Sequence, residues 1–388
     1  MITVAPAMSG AVPPGGYRLC AVDLDGTLLS WRTAADRAAE CSATPMVSPA
    51  NVAALQRVAR DTATIVVVAT GRGPASATRV ADDVLGLGCP LVCNNGACVL
   101  SAALPSEDTC SSATTSAGAP ALQRRTLIHA SFYARDFVAG CCSAASDVVG
   151  GALICVYHPS ATASSGCGIS FCGSVPASVH ASSINVMVCA DEFPVVDEPR
   201  LSAAQREIVG NTRNTLHPYQ SYDELARSEV AASCWKLLIW CAGEVRDALQ
   251  LEIEKRLRPT ERGIQLHRPE TMLLEFVPPA TNKAVGLQKL LNSLDDIAEQ
   301  AAGASAAVGV SGNSEARKGG GAELRQNLLC FGDGDNDVEM LRSAAMGIAP
   351  SNSGAAAQGA ATRVSEWAHY EDAVAQEIAS LYGWQAPE

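Results

Sequence analysis

Short apolar runs that stop abruptly at polar residues alternate along this chain with segments whose apolar positions recur at helical spacing. Leu19-Cys20-Ala21-Val22 stops at Asp23, a β-branched run from Thr64 to Ala69 stops at Thr70-Gly71, and Pro90 to Cys93 stops at Asn94-Asn95-Gly96-Ala97. Continuous runs of this length, bounded by turn residues, read as strands buried on both faces. Between them the pattern predicts a loop over 24–48, a helix from Pro49 to Arg60 capped by Ser48, and a helix from Pro74 to about Leu87. Strand, helix, strand, helix, strand implies a right-handed parallel sheet.

The pattern changes after residue 97. Residues 101–120 are rich in Ser, Ala and Thr without a hydrophobic period, which reads as a flexible insertion. From 124 to 276 strands and helices alternate again: strands are expected at 124–128, 151–157, 184–190, 234–240 and 271–276. Helices are expected at 131–148, 221–228 and 243–257, and Ser160–Ser178 and Asp191–Pro218 read as loop. The first pattern then resumes. A helix from Asn282 to about Leu294 is followed by an Ala/Gly/Ser-rich flexible stretch at 301–322. A strand at 327–331 stops at Gly332-Asp333, with a helix at 337–345, a short strand near Gly347-Ile348-Ala349 and a last helix at 371–382. The expected organisation is a disordered tail at 1–16, an α/β core from 17–97 and 277–388 built on a doubly wound parallel sheet, and an inserted α/β cap at 98–276.

A chain of 388 residues has room for about two domains. The net charge of −12 argues against a nucleic-acid partner, which needs basic surface, and against an anionic membrane. No apolar stretch reaches the length of a membrane span, and the first residues lack the basic start of a signal peptide. The 15 cysteines include no C-x-x-C pair and lie mostly in strand-like runs, as buried hydrophobes in a reducing compartment do. The expectation is a cytoplasmic protein, a monomer or homodimer.

The chemistry sits at strand ends. Asp23-Leu24-Asp25-Gly26-Thr27 follows the first run, and Gly332-Asp333-Gly334-Asp335-Asn336-Asp337 follows Leu328-Leu329-Cys330-Phe331. Ligands of parallel sheets bind at the carboxyl ends of strands. Two such strands side by side crowd several carboxylates, which cannot all ionise without a counter-ion. Oxygen-only ligands select Mg²⁺. The second cluster starts like a calcium loop, but Val338 and Ala344 occupy the positions of its obligatory glycine and glutamate, which excludes an EF-hand. Thr70-Gly71 offers a hydroxyl and backbone N–H groups at a helix start, a phosphate-binding geometry. The neighbouring Gly71-Arg72-Gly73 departs from a dinucleotide fingerprint, because Ser76 stands at the third glycine. Lys283 follows the Pro278-Pro279 stop and supplies the fixed cation that a carboxylate pocket holding a dianion requires.

These residues, in this order, resemble the haloacid dehalogenase-like (HAD) phosphohydrolases and, within them, the Cof-type phosphatases. The matching motifs are Asp23 to Leu29, Thr70-Gly71-Arg72, Asn95-Gly96-Ala97, Lys283 within Thr281–Leu287, and Gly332 to Leu341. The chain departs from the family at Ala284 and Ala373, where glycine is common. The resemblance implies a Rossmann-like HAD core and roles for each residue. Asp23 is the nucleophile that forms an aspartyl-phosphate, and Asp25 is the general acid and base. Thr70, Gly71 and Arg72 hold phosphoryl oxygens, and Lys283 pairs with Asp23 and the transferring group. Mg²⁺ is held by Asp23, Asp333 and the backbone carbonyl of Asp25. Asp337 reaches it through water or holds Lys283, and Asn336 supports phosphate or Asp333. The implied substrate is a small phosphorylated metabolite, such as a sugar phosphate, nucleotide or cofactor phosphate. Two alternatives are a phosphomannomutase-like phosphotransferase and a non-catalytic sugar-phosphate-binding protein on the same core.

Overall fold

Each strand end that carries an acidic or Thr-Gly motif is an end of a real strand. The computed structural model describes residues 16–29, 47–103, 125–147, 152–159, 167–172, 215–219, 221–241, 243–267, 273–305 and 320–385. Its strands are β1 (Leu19–Val22), β2 (Ile65–Ala69), β3 (Leu91–Cys93), β4 (Cys98–Leu100), β5 (Leu127–Ala130), β6 (Leu153–Pro159), β7 (Cys167–Cys172), β8 (Thr215–Pro218), β9 (Lys236–Trp240), β10 (Gln265–His267), β11 (Leu273–Val277), β12 (Leu328–Phe331), β13 (Met346–Ala349) and β14 (Arg363–Val364). The helices are α1 (Pro49–Asp61), α2 (Pro74–Arg79), α3 (Arg135–Asp147), α4 (Tyr222–Arg227), α5 (Gly243–Leu257), α6 (Lys283–Ser305), α7 (Gly320–Asn327), α8 (Val338–Ser343), α9 (Ala355–Ala360) and α10 (Ala373–Tyr382). The chain divides into two compact units: Met1–Trp31, Met46–Val67 and Gly312–Glu388 form one, Arg32–Pro45 and Val68–Ser311 the other.

In the first unit the strands run in the order β14-β13-β12-β1, all parallel. β1 and β12 are buried along their whole length, as their unbroken apolar runs require. Ile65 at the start of β2 donates its N–H to the Arg18 carbonyl at 2.8 Å. Ser48 caps α1 by accepting from the Asn51 N–H at 3.1 Å. Buried Asn51 accepts from the Ala375 N–H at 3.0 Å and so ties α10 to α1.

The chain enters the second unit within β2, after Val67. There Val68 and Ala69 pair parallel with β3, and β4 and β5 follow antiparallel. A separate sheet has the order β10-β11-β9-β6-β7-β8, antiparallel except for β7 and β8. Alternate strand residues Ile154, Val156, Leu237, Ile239, Leu274 and Phe276 share one buried core with Phe137, Cys141, Leu225, Leu249 and Ile253 from α3, α4 and α5. Strand period two therefore sends Lys236, Leu238 and Trp240 to the opposite face. Within the core, Phe137 meets Phe276 edge-on, with ring centroids 5.4 Å apart.

The α/β class is as expected, and several elements differ from the sequence reading. β4, β7, β8 and β10 lie in segments read as loop, or without a strand: β7, β8 and β10 are diluted by Gly, Ser, Pro, Gln or His, and β4, Cys98-Val99-Leu100, is apolar but only three residues long. The expected strand at 124–128 forms at Leu127–Ala130, and the helix expected from 131 starts at Arg135. The expected helix to Leu87 is α-helical only to Arg79 and continues as a wider turn to Val84. α6 runs past Leu294 to Ser305, and α7 begins at Gly320, so helix enters both ends of the stretch expected to be flexible. Alanine, the strongest helix former, recurs at 301, 302 and 304. The expected strand 184–190, the tail to residue 15 and residues 104–120 and 306–319 lie outside the described residues.

Candidate active site

In the first unit, parallel pairing places Val22 beside Phe331, so the residues that follow leave the sheet together. Asp23 is 4% exposed, and its N–H donates to the Phe331 carbonyl at 3.1 Å. Carboxylate oxygens of Asp23, Asp333 and Asp337 lie within 4.8 Å of one another. At an effective dielectric of about 20, two unit charges at that spacing repel by roughly 3 kcal/mol. The cluster also has internal support. The N–H groups of Asp333 and Gly334 each donate to Asp337 Oδ2 at 3.1 Å. Thr27 Oγ1 donates to Asp333 Oδ1 at 3.0 Å, so its bond crosses to the second motif instead of closing the Asp25 turn.

Gly26 makes this approach possible. Its φ of +77° is left-handed, and a Cβ there would lie 2.7 Å from the Asp333 carboxyl carbon. Asp25, in the same turn, is half-buried in an extended conformation, with φ −73° and ψ 118°. Asn336 is half-buried in the single turn Asp335–Asp337 that follows β12. The donor set is all oxygen and mostly buried, which fits a hard divalent cation such as Mg²⁺.

In the second unit Thr70 is fully buried at the end of β2. Its N–H donates to the Val92 carbonyl at 2.8 Å, and its Oγ1 accepts from the Arg72 N–H at 3.1 Å. Arg72 Nη1 donates to Ser76 Oγ at 3.2 Å. Asn94, Asn95 and Gly96 are three successive left-handed residues, with φ of 51°, 56° and 96°. That turn lets the Asn95 N–H donate to the Thr70 carbonyl at 3.1 Å. A Cβ on Gly96 would lie 2.6 Å from the Asn282 carbonyl carbon, so only glycine admits the start of α6 here. Asn282 caps that helix, accepting from the Val285 N–H at 2.9 Å, and fully buried Lys283 is its first residue. The expected residues thus form two groups: Asp23, Asp25, Asp333, Asn336 and Asp337 in one unit, Thr70, Gly71, Arg72 and Lys283 in the other.

Two further residues escaped the sequence reading. Lys236 Nζ donates to the Gly71 carbonyl at 2.9 Å and lies 3.7 Å from Glu275 Oε1. Glu275 Oε1 accepts from Asn95 Nδ2 at 3.5 Å. The available signal was a lysine inside the otherwise apolar run Cys234–Cys241, where a charge is retained only with partners.

A family model described as haloacid dehalogenase-like hydrolase matches residues 20–139 and 324–378, which hold both acidic motifs and the Thr70 loop. Over these residues the chain is similar to the haloacid dehalogenase-like hydrolases. Among solved structures it is similar to a haloacid dehalogenase-like hydrolase from Bacteroides thetaiotaomicron, with 18% identity and a TM-score of 0.56 over 94% of this chain and 99% of that one. A protein from Thermotoga maritima is 16% identical, with a TM-score of 0.58 over 94% and 97%. A sugar phosphatase of HAD subclass IIB is 15% identical, with a TM-score of 0.54 over 94% and 99%. These likenesses show the HAD fold. No protein with a curated description matches the sequence. Among the described residues, no helix is long and apolar enough to cross a membrane.

Proposed function

We propose that this protein is a Mg²⁺-dependent HAD phosphatase of the Cof type. It would hydrolyse a small phosphate monoester through an aspartyl-phosphate. The observation that carries this reading is the carboxylate cluster: oxygens of Asp23, Asp333 and Asp337 within 4.8 Å at the ends of two adjacent parallel strands. Asp23 and Asp333, with the Asp25 backbone carbonyl, would hold the cation. When bound, it neutralises the carboxylates and the phosphoryl oxygens.

Asp23 attacks phosphorus, so the bond to the leaving oxygen breaks as the Asp23 ester forms. Asp25 gives that oxygen a proton and later takes one from the attacking water. Asp337, locked by the Asp333 and Gly334 N–H groups, keeps the second motif in place. The buried Thr70 hydroxyl and the Gly71–Arg72 backbone hold phosphoryl oxygens, Asn336 supports them, and Lys283 supplies a fixed positive charge. Residues 98–276 act as the cap that reads the rest of the substrate, a sugar phosphate, nucleotide or cofactor phosphate; the solved sugar phosphatase of the same fold supports this class.

Phosphate release from sugar phosphates, nucleotides, flavin mononucleotide and pyridoxal phosphate, with Mg²⁺ and with chelator, tests the reading. Release from at least one substrate should depend on Mg²⁺. Equal rates in chelator, or none with any substrate, would remove it.

A further inference from the structure

We infer that Lys236 is a positioning residue, which fixes the direction of the Thr70 hydroxyl through one peptide plane. For its kinetic consequence this rests on the phosphatase reading above. Lys236 opens β9 and is 8% exposed. It lies on the sheet face opposite the α3–α5 core, because its neighbours Leu237 and Ile239 fill that core. Its ammonium donates to the Gly71 carbonyl at 2.9 Å. The same peptide unit carries the Arg72 N–H, which donates to Thr70 Oγ1 at 3.1 Å. Carbonyl and N–H of one peptide are rigidly opposed. A cation on the carbonyl therefore aims the N–H, and the N–H fixes the hydroxyl. Having accepted that bond, Thr70 has its hydroxyl proton to give to a phosphoryl oxygen.

Glu275 completes the arrangement from β11. It stands 3.7 Å from Lys236 Nζ, so the ammonium is charge-compensated. It also accepts from Asn95 Nδ2 at 3.5 Å, and the Asn95 N–H donates to the Thr70 carbonyl at 3.1 Å. Thr70 is thus held from two sides by groups that trace back to one ion pair. A buried pair need not add net stability, whereas a defined geometry at a reacting centre is worth large factors in rate. Lys236 is accordingly assigned to positioning and not to contact with substrate.

Lys236→Met keeps the length of the side chain and removes the donor. The activity-independent readout is hydrogen exchange at the Arg72 amide. It should exchange at least about tenfold faster in Lys236→Met, while the Leu237 and Ile239 amides keep their protection; opening an anchored hydrogen bond governs such local exchange. Kinetically, kcat with an aryl phosphate and Mg²⁺ should fall by about 10–100-fold with a smaller change in KM. The double variant Lys236→Met/Thr70→Val should be no slower than Thr70→Val alone, because both changes remove one effect. Unchanged Arg72 exchange, or losses that multiply in the double variant, would overturn the assignment. If Lys236→Met does not fold, Lys236→Gln, too short to reach Gly71, carries the same expectations. If the wild type releases no phosphate, the phosphatase reading falls, and Arg72 exchange alone decides the role of Lys236.

Discussion

Thr27 donates its hydroxyl to Asp333 across 306 positions of sequence, at 3.0 Å. This bond joins the two acidic motifs directly. One oxygen of Asp333 is oriented by it, which fixes how the carboxylate faces Asp23. Partners that orient a metal-binding carboxylate typically contribute 10–100-fold to metal affinity.

Thr27→Val keeps the shape of the side chain and removes the donor. The Mg²⁺ concentration giving half-maximal phosphatase activity should rise by about 10–100-fold, with little change in kcat at saturating Mg²⁺. A Mg²⁺ titration of the two proteins checks this, and unchanged Mg²⁺ dependence would show that Asp333 does not need the bond.

Asp25→Asn should keep the cluster of Asp23, Asp333 and Asp337, which does not use its side chain. General acid–base help is worth about 10²–10⁴-fold, so kcat should drop within that range. Steady-state rates with leaving groups of differing pKa provide the check. The loss should shrink as the leaving group becomes more acidic and needs less protonation.

The parts legible in the sequence are those that physics writes locally. β1 and β12 are unbroken apolar runs, and the polar stops after them, Asp23 and Gly332-Asp333, mark the strand ends. The turn at Asn95-Gly96 and the stop at Pro278-Pro279 were equally plain. The parts that were not legible depend on pairing. β7 and β8 pair with each other, and β7 with β6, yet their own residues make a poor strand pattern. Nothing local to Thr27 reveals that Asp333 lies within its reach. Lys236 escaped the reading because its partners Gly71 and Glu275 are far away in sequence.

Alkaline pH should destabilise the fold. Burial pushes the Cys89 and Cys241 thiols from 9.0 to about 12, and Cys141 and Cys234 are also raised well above 9.0 by burial. These groups stay protonated in the folded chain while the unfolded chain releases protons above about pH 9. Their contribution is therefore complete below pH 9 and is lost as pH rises toward 12. Denaturant midpoints from pH 7 to 11 should fall beyond pH 9. In the same experiment the ten thiols that are buried and free among the described residues, from Cys20 to Cys330, should resist alkylation until the protein unfolds. Rapid labelling of Cys141 or Cys234 in native protein would contradict this.

The most direct test of the account is the chemical fate of Asp23. The Asp25→Asn protein, incubated with a reactive phosphodonor and Mg²⁺ and quenched in acid, should carry phosphate on the peptide that contains Asp23. Hydroxylamine should remove it, as it does an acyl phosphate, and Asp23→Asn should take up none. Phosphate that persists in Asp23→Asn, or that resists hydroxylamine, would contradict a nucleophilic Asp23.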